Sequence, residues 1–139
     1  GCMKHIPSVA FSSCYYNEDA NLEPLRPVVQ HIVQRVLANG LPEGICLNVN
    51  FPAREHFEGV KVCRMALGSW VNEVVTGHHP HGYNYYWMVG EYRNDEPNAE
   101  DADQTALNRG YVAITPTRID VTAYEYMEQA KALFAADKA

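Results

Sequence analysis

Apolar residues recur along this chain with two different periods, and the changes of period divide it into elements. Leu25, Val28, Val29, Ile32, Val33, Val36 and Leu37 fall at the i, i+3, i+4, i+7 spacing of an amphipathic helix, which predicts one over 24–38. Pro24 and Pro27 suit its opening turn, where a missing N–H costs nothing. Gly40 suits the left-handed position just past its end. In ICLNVNFP the period drops to two: Ile45, Leu47, Val49 and Phe51 alternate with Cys46, Asn48 and Asn50, so a strand is predicted, ended by Pro52. SVAFSS at 8–13 reads as a strand buried on both faces, as in a parallel sheet. VKVCRM (60–65) and WVNEVV (70–75) flank Leu67, Gly68 and Ser69 and read as a β-hairpin. A lone hairpin is marginal in water, so this one is expected to rest on another surface, such as a second chain.

Further on, TGHHPHG (76–82) has loop composition, and NYYWMVGEY (84–92) is aromatic-rich and predicts a strand. A helix at about 101–109 leads through Gly110 into the strand YVAITPT (111–117). The last helix is expected to start near Asp120 as its N-cap, with Val121, Tyr124, Met127, Leu133 and Phe134 along one side and a frayed ADKA end. Strand, helix, several strands, helix, strand, helix is a mixed α/β or α+β order.

With 139 residues, 47% of them apolar and 20% charged, the chain is long enough for one domain with a real core. Its formal charge of -6, from 11 basic and 17 acidic residues, argues against a nucleic-acid polymer as partner. A small phosphorylated substrate stays open. No apolar run approaches the roughly 20 residues of a membrane helix. The start, GCMKHIPSVAF, shows no secretory leader, so the expected compartment is the cytoplasm. Cys2, Cys14, Cys46 and Cys63 form no C-x-x-C and are expected to be free, structural thiols there.

Candidate chemistry is sparse. Glu96, Glu100, Asp101 and Asp103 could grip a metal ion or start a helix. The stretch lacks the glycine turn of a calcium loop, which favours capping. His78, His79 and His81 carry metal-binding imidazoles within a short loop, but no second ligand pair accompanies them; a solvated loop is the simpler reading. Asn48 and Asn50 share a strand face and are expected to bond neighbouring backbone rather than substrate. Tyr83, Tyr85, Tyr86, Trp87 and Tyr92 could stack a nucleobase or fill a core or subunit interface, the latter being where Tyr and Trp are enriched. No nucleophile elbow or phosphate loop occurs. The residues by themselves describe a domain with interaction surfaces and no self-contained active site.

IPSVAFS, LPEGICLNVNFP, VKVCRM, NYYWMVGEYRNDEPNAEDADQTALNRGYVAITP and RIDVTAY, in that order, resemble the second half of the SurE family over about 6–124. The resemblance implies an α/β fold, the C-terminal portion of a Rossmann-like three-layer sandwich with a projecting β-hairpin and a C-terminal helix. It implies a core part at 1–52, a hairpin and loop at 53–82, a strand–helix–strand return at 83–117 and an arm at 118–139. The family's members are nucleotidases that hydrolyse nucleoside monophosphates with a divalent metal, Mg or Mn. In them an adjacent aspartate pair, a serine and an asparagine of the N-terminal half hold the ion. This chain has no Asp-Asp pair. The resemblance therefore assigns no catalytic or metal residue here, implies no ion held by this portion, and leaves it inactive when isolated. It does imply a homo-oligomer, dimer or tetramer, with Val60, Val62, Trp70, Val74, Tyr124 and Met127 at the interface, and Tyr86 and Trp87 as a wall beside a small nucleotide substrate. A non-catalytic binding or assembly module is the alternative.

Overall fold

The computed structural model describes residues 1–15 and 20–135. The predicted first helix is α1, Arg26–Asn39, entered through a 3-10 turn at Glu23–Leu25. Gly40 ends it with φ 71°, its N–H reaching Val36 C=O at 2.8 Å. The left-handed value is one that a β-carbon would resist.

β1 (Ser8–Ser13), β2 (Ile45–Phe51), β3 (Val60–Val62) and β8 (Val112–Arg118) form one mixed sheet in the order β1-β2-β8-β3. β1 runs parallel to β2, β8 antiparallel to β2, and β3 parallel to β8. The two-residue period of β2 sorts its side chains. Val49 and Phe51 meet Val112 of β8 and Ile32 of α1 in one core, all at or below 4% exposure. Phe57 and Phe11 set their rings 5.6 Å and 6.3 Å from Phe51. A second core joins Ala113 of β8 and Cys63 to Ala106 and Leu107 of α2 (Asp103–Asn108). Helix, sheet and helix therefore make three layers, the α/β architecture the sequence suggested.

Three expectations need correction. β1 is not buried on both faces: it is the sheet's edge strand, and Phe11 remains 37% exposed. A parallel strand is covered on both faces only where helices lie on both of them. Nor do 60–65 and 70–75 pair with each other. Val60, Lys61 and Val62 pair with Val112, Ala113 and Ile114, because β3 completes the core sheet. The projecting ladder is longer and lies further along the chain. β4 (Gly68–Val71) pairs with β7 (Glu91–Asn94), and β5 (Val74–His78) with β6 (Asn84–Met88). Asn72 at φ 55° and Gly90 at φ 131° interrupt the two arms at the same level, and a bond from Val89 N–H to Glu73 C=O (2.9 Å) carries the ladder across. The strand predicted at 84–92 is broken by that glycine.

The third correction concerns the C-terminus. Asp120 caps no helix: α3 is Met127–Phe134, after a 3-10 turn at Tyr124–Tyr126. Asp120 instead accepts Thr122 N–H at 2.9 Å and the Tyr124 hydroxyl, closing a local turn that postpones the helix. The ADKA end lies outside the described residues.

Candidate functional site

Two of the four acids of 96–103, Glu96 and Asp101, meet on one arginine, and the other two find separate partners. Arg64, just past β3, donates Nη2 to Glu96 Oε2 at 2.9 Å, Nη1 to Glu96 Oε1, and Nε to Asp101 Oδ2 at 2.8 Å. Glu96 also accepts Leu67 N–H at 2.8 Å. These bonds, from Arg64 first and Leu67 second, hold its carboxyl below the usual carboxylate range, and Glu96 and then Asp101 raise the Arg64 guanidinium in turn. Glu100 pairs with Arg109 at 3.2 Å.

Asp103 is 9% exposed and accepts Ala66 N–H at 3.0 Å and Gln104 N–H at 2.7 Å. It sits in the first turn of α2, where the dipole favours an anion, but its oxygen also pins the chain leading out of β3. Capping was the nearer of the two sequence readings, yet Ala102 holds the N-cap position and the acids tie the base of the projecting ladder to α2. Nothing in linear spacing marked Arg64 as their hub. It lies 32 residues before Glu96, and only the fold closes that gap.

His78, His79 and His81 sit at the ladder's tip. His78 Nδ1 lies 2.6 Å from Asn84 Oδ1, and His81 N–H donates to His79 Nδ1 at 3.2 Å. The His79 ring stacks on Tyr83 (centroids 4.4 Å apart) and on His81 (5.1 Å). Stacked rings do not converge their nitrogens on a shared ion. Among the described residues, no three His, Cys, Asp or Glu side chains gather as a metal-holding group.

The remaining candidates are spread apart. Val60 and Val62 lie on the core sheet's edge strand, 45% and 73% exposed, whereas Trp70 and Val74 lie on the ladder. Tyr86 and Trp87 are exposed on β6, and Tyr124 and Met127 are exposed at the start of the C-terminal arm. Among the described residues, Asn48 and Asn50 do not bond neighbouring backbone through their side chains, since β2 is paired on both sides and its ladders use those groups. All four cysteines are free. Burial raises the Cys14 and Cys63 thiols, and the Asp103 charge raises Cys63 further, which disfavours the thiolate at both. No helix among the described residues is long and apolar enough to cross a membrane.

Residues 1–72 match the family model described as Survival protein SurE. The chain belongs to the SurE family. It is 49% identical over 131 residues to a protein of Phocaeicola vulgatus named 5'-nucleotidase SurE, covering 94% of this chain and 51% of that one. A Bacteroides thetaiotaomicron protein of the same name is 46% identical over 129 residues, covering 93% of this chain and 50% of its own. The fold agrees as well: the crystal structure of the SurE protein from Aquifex aeolicus superposes with a TM-score of 0.73 at 34% identity, over 95% of this chain and 53% of the other. The chain thus spans about half the length of the curated relatives it matches.

Proposed function

We propose that this chain is the C-terminal part of a SurE-type nucleotidase that hydrolyses nucleoside monophosphates as phosphomonoesters. It supplies scaffold and subunit interface to a homo-oligomer working in the cytoplasm. The observation that carries the reading is the 49% identity, sustained over 131 residues, to a protein named for that activity. The divalent ion of the intact enzyme, Mg or Mn, belongs to acids outside this chain, because the acids of 96–103 are committed to Arg64, Arg109 and backbone amides.

The interface role rests on exposure. Trp70, Val74, Tyr86, Trp87 and Met88 put between 56% and 81% of their surface into solvent on a two-stranded ladder. Such a ladder is marginal without a partner. Val60 and Val62 offer an open sheet edge, and Tyr124 and Met127 begin an arm whose helix α3 buries none of its residues. By strand pairing, the projecting unit of this reading is 68–94 rather than 53–82, with 118–139 as the arm. Tyr86 and Trp87 form the wall nearest a nucleotide in the assembly.

The deciding assay is release of phosphate from AMP with Mn²⁺ or Mg²⁺, paired with light scattering. The expected result is an oligomer of the isolated chain without metal-dependent turnover. Turnover at an ordinary enzymatic rate by this chain alone would overturn the assignment of the acids. The same exposed ladder also favours a second reading, a non-catalytic assembly module. Hydrolysis by the longer protein that carries this chain would exclude it.

A further inference from the structure

β1 and β2 run parallel, and their carboxyl ends lie side by side: Ser13 pairs with Phe51, and Cys14 N–H donates to Phe51 C=O at 2.9 Å. In sheets with parallel strands, ligands bind in the crevice outside those ends. A cleft of about 280 Å³ opens there, lined by Cys14, Pro52, Arg54, Gln104 and Asn108 among others.

Arg54 is the one cation on that lining among the described residues. Its Nη2 donates to Asn108 C=O at 2.9 Å, at the C-terminal end of α2, where the helix dipole favours positive charge. The close approach needs a glycine behind it, since a β-carbon on Gly110 would stand 2.7 Å from Arg54 Nη1. Arg26, Arg64, Arg93 and Arg109 are each taken up in ion pairs, whereas Arg54, like Arg35 and Arg118, makes none among the described residues, even though Glu58 also lies beside Gly110. One of its five donors is used there, and the rest of the planar fork matches phosphate geometry.

We infer that this cleft is an anion subsite in which the Arg54 guanidinium, held by the Asn108 carbonyl, receives the phosphoryl group of a phosphomonoester, with the side-chain amides of Gln104 and Asn108 as further donors. The ligand class rests on the nucleotidase reading; the site itself rests on the geometry. Its test needs no turnover. Inorganic phosphate is titrated into the ¹⁵N-labelled chain at low salt. The expected result is saturable shifts of the Arg54 Nε–H and of the Gln104 and Asn108 amides, with Arg54→Gln weakening binding at least about tenfold, the loss of one charge-assisted contact. Arg54→Lys retains part of the affinity, and Arg35→Gln, exposed on α1 and outside the lining of this cleft, retains all of it. Equal affinity in wild type and Arg54→Gln, or shifts confined to other residues, overturns the subsite. Phosphate binding at Arg54 in a protein whose longer form proves to have no nucleotidase activity keeps the site and removes only the substrate class.

Discussion

Arg64 holds Glu96 by both carboxylate oxygens across 32 residues of chain, joining the exit of β3 to the segment that follows β7. Because Glu96 also accepts Leu67 N–H, the pair fixes both arms of the ladder where they leave the core. Glu96→Gln weakens the charged contact without changing side-chain size. The expected outcome is amide exchange at Leu67 faster by about tenfold, read by NMR, with little change at Val49 or Val112 in the core. The sign with pH follows from the lowered Glu96 value. A depressed carboxylate adds stability that is present above its unfolded value and is lost as pH falls through the folded one. Protection at Leu67 is therefore expected to persist at neutral pH and to fail only below the usual glutamate range. Failure already in the histidine range would place the control on another group.

Phe51 has no exposed surface and stands between Phe11 and Phe57, at the point where β2 meets α1's side of the sheet. Phe51→Ala removes the largest fully buried side chain and leaves a cavity that flanking strands cannot close. The expected loss is about 3–5 kcal/mol in urea unfolding at unchanged slope. A loss below about 1 kcal/mol would mean that this core does not hold the sheet together.

Elements with one unbroken period were readable in the chain. α1, β2 and β8 appear close to where the sequence puts them, and Gly40 takes the positive φ expected after its helix. Strand partners were not readable. VKV and WVNEVV are apolar segments on either side of a Gly-containing turn, so local chemistry favours pairing them. The better partner for Val60–Val62 is β8, reached only when α2 folds back. The Arg64 hub was hidden for the same reason, since acids clustered in sequence say nothing about which distant cation they meet. The helix start at Asp120 was misplaced because an aspartate that caps a helix and one that closes a turn look alike in sequence.

At Asp120, hydrogen bonds from Thr122 and then Tyr124 pull the carboxyl down to about 2, and the same contact raises the Tyr124 phenol above its ordinary value. Asp120→Asn removes the charge that raises Tyr124. By NMR of the tyrosine ring carbons, Tyr124 is expected to titrate at lower pH in the variant than in the wild type. In the wild type the turn's contribution is present above the unfolded aspartate value and is lost only near pH 2. An unmoved Tyr124 would show that the hydroxyl does not bond Asp120 in solution.

On the ladder, Trp70 sets its ring edge-on to Tyr92 at 6.0 Å, and the Tyr92 hydroxyl donates to Ala66 C=O at 3.1 Å, so the indole stands on a tethered base. It remains 59% exposed in the single chain. An exposed tryptophan beside Met88 and Val89 has the character of an interface anchor, and truncating such an anchor typically costs about 2 kcal/mol or more of association, roughly 30-fold in affinity. On the homo-oligomer proposed above, Trp70→Ser is therefore expected to shift assembly toward monomer in sedimentation without lowering the urea midpoint of the monomeric core. Gly77→Val gives an independent check. Tyr85 lies across Gly77, where a β-carbon would collide with its ring, so valine displaces the ring and loosens the tip. If both variants assemble like the wild type, the joining surface lies elsewhere, at the open edge carrying Val60 and Val62 or on the arm that begins at Tyr124.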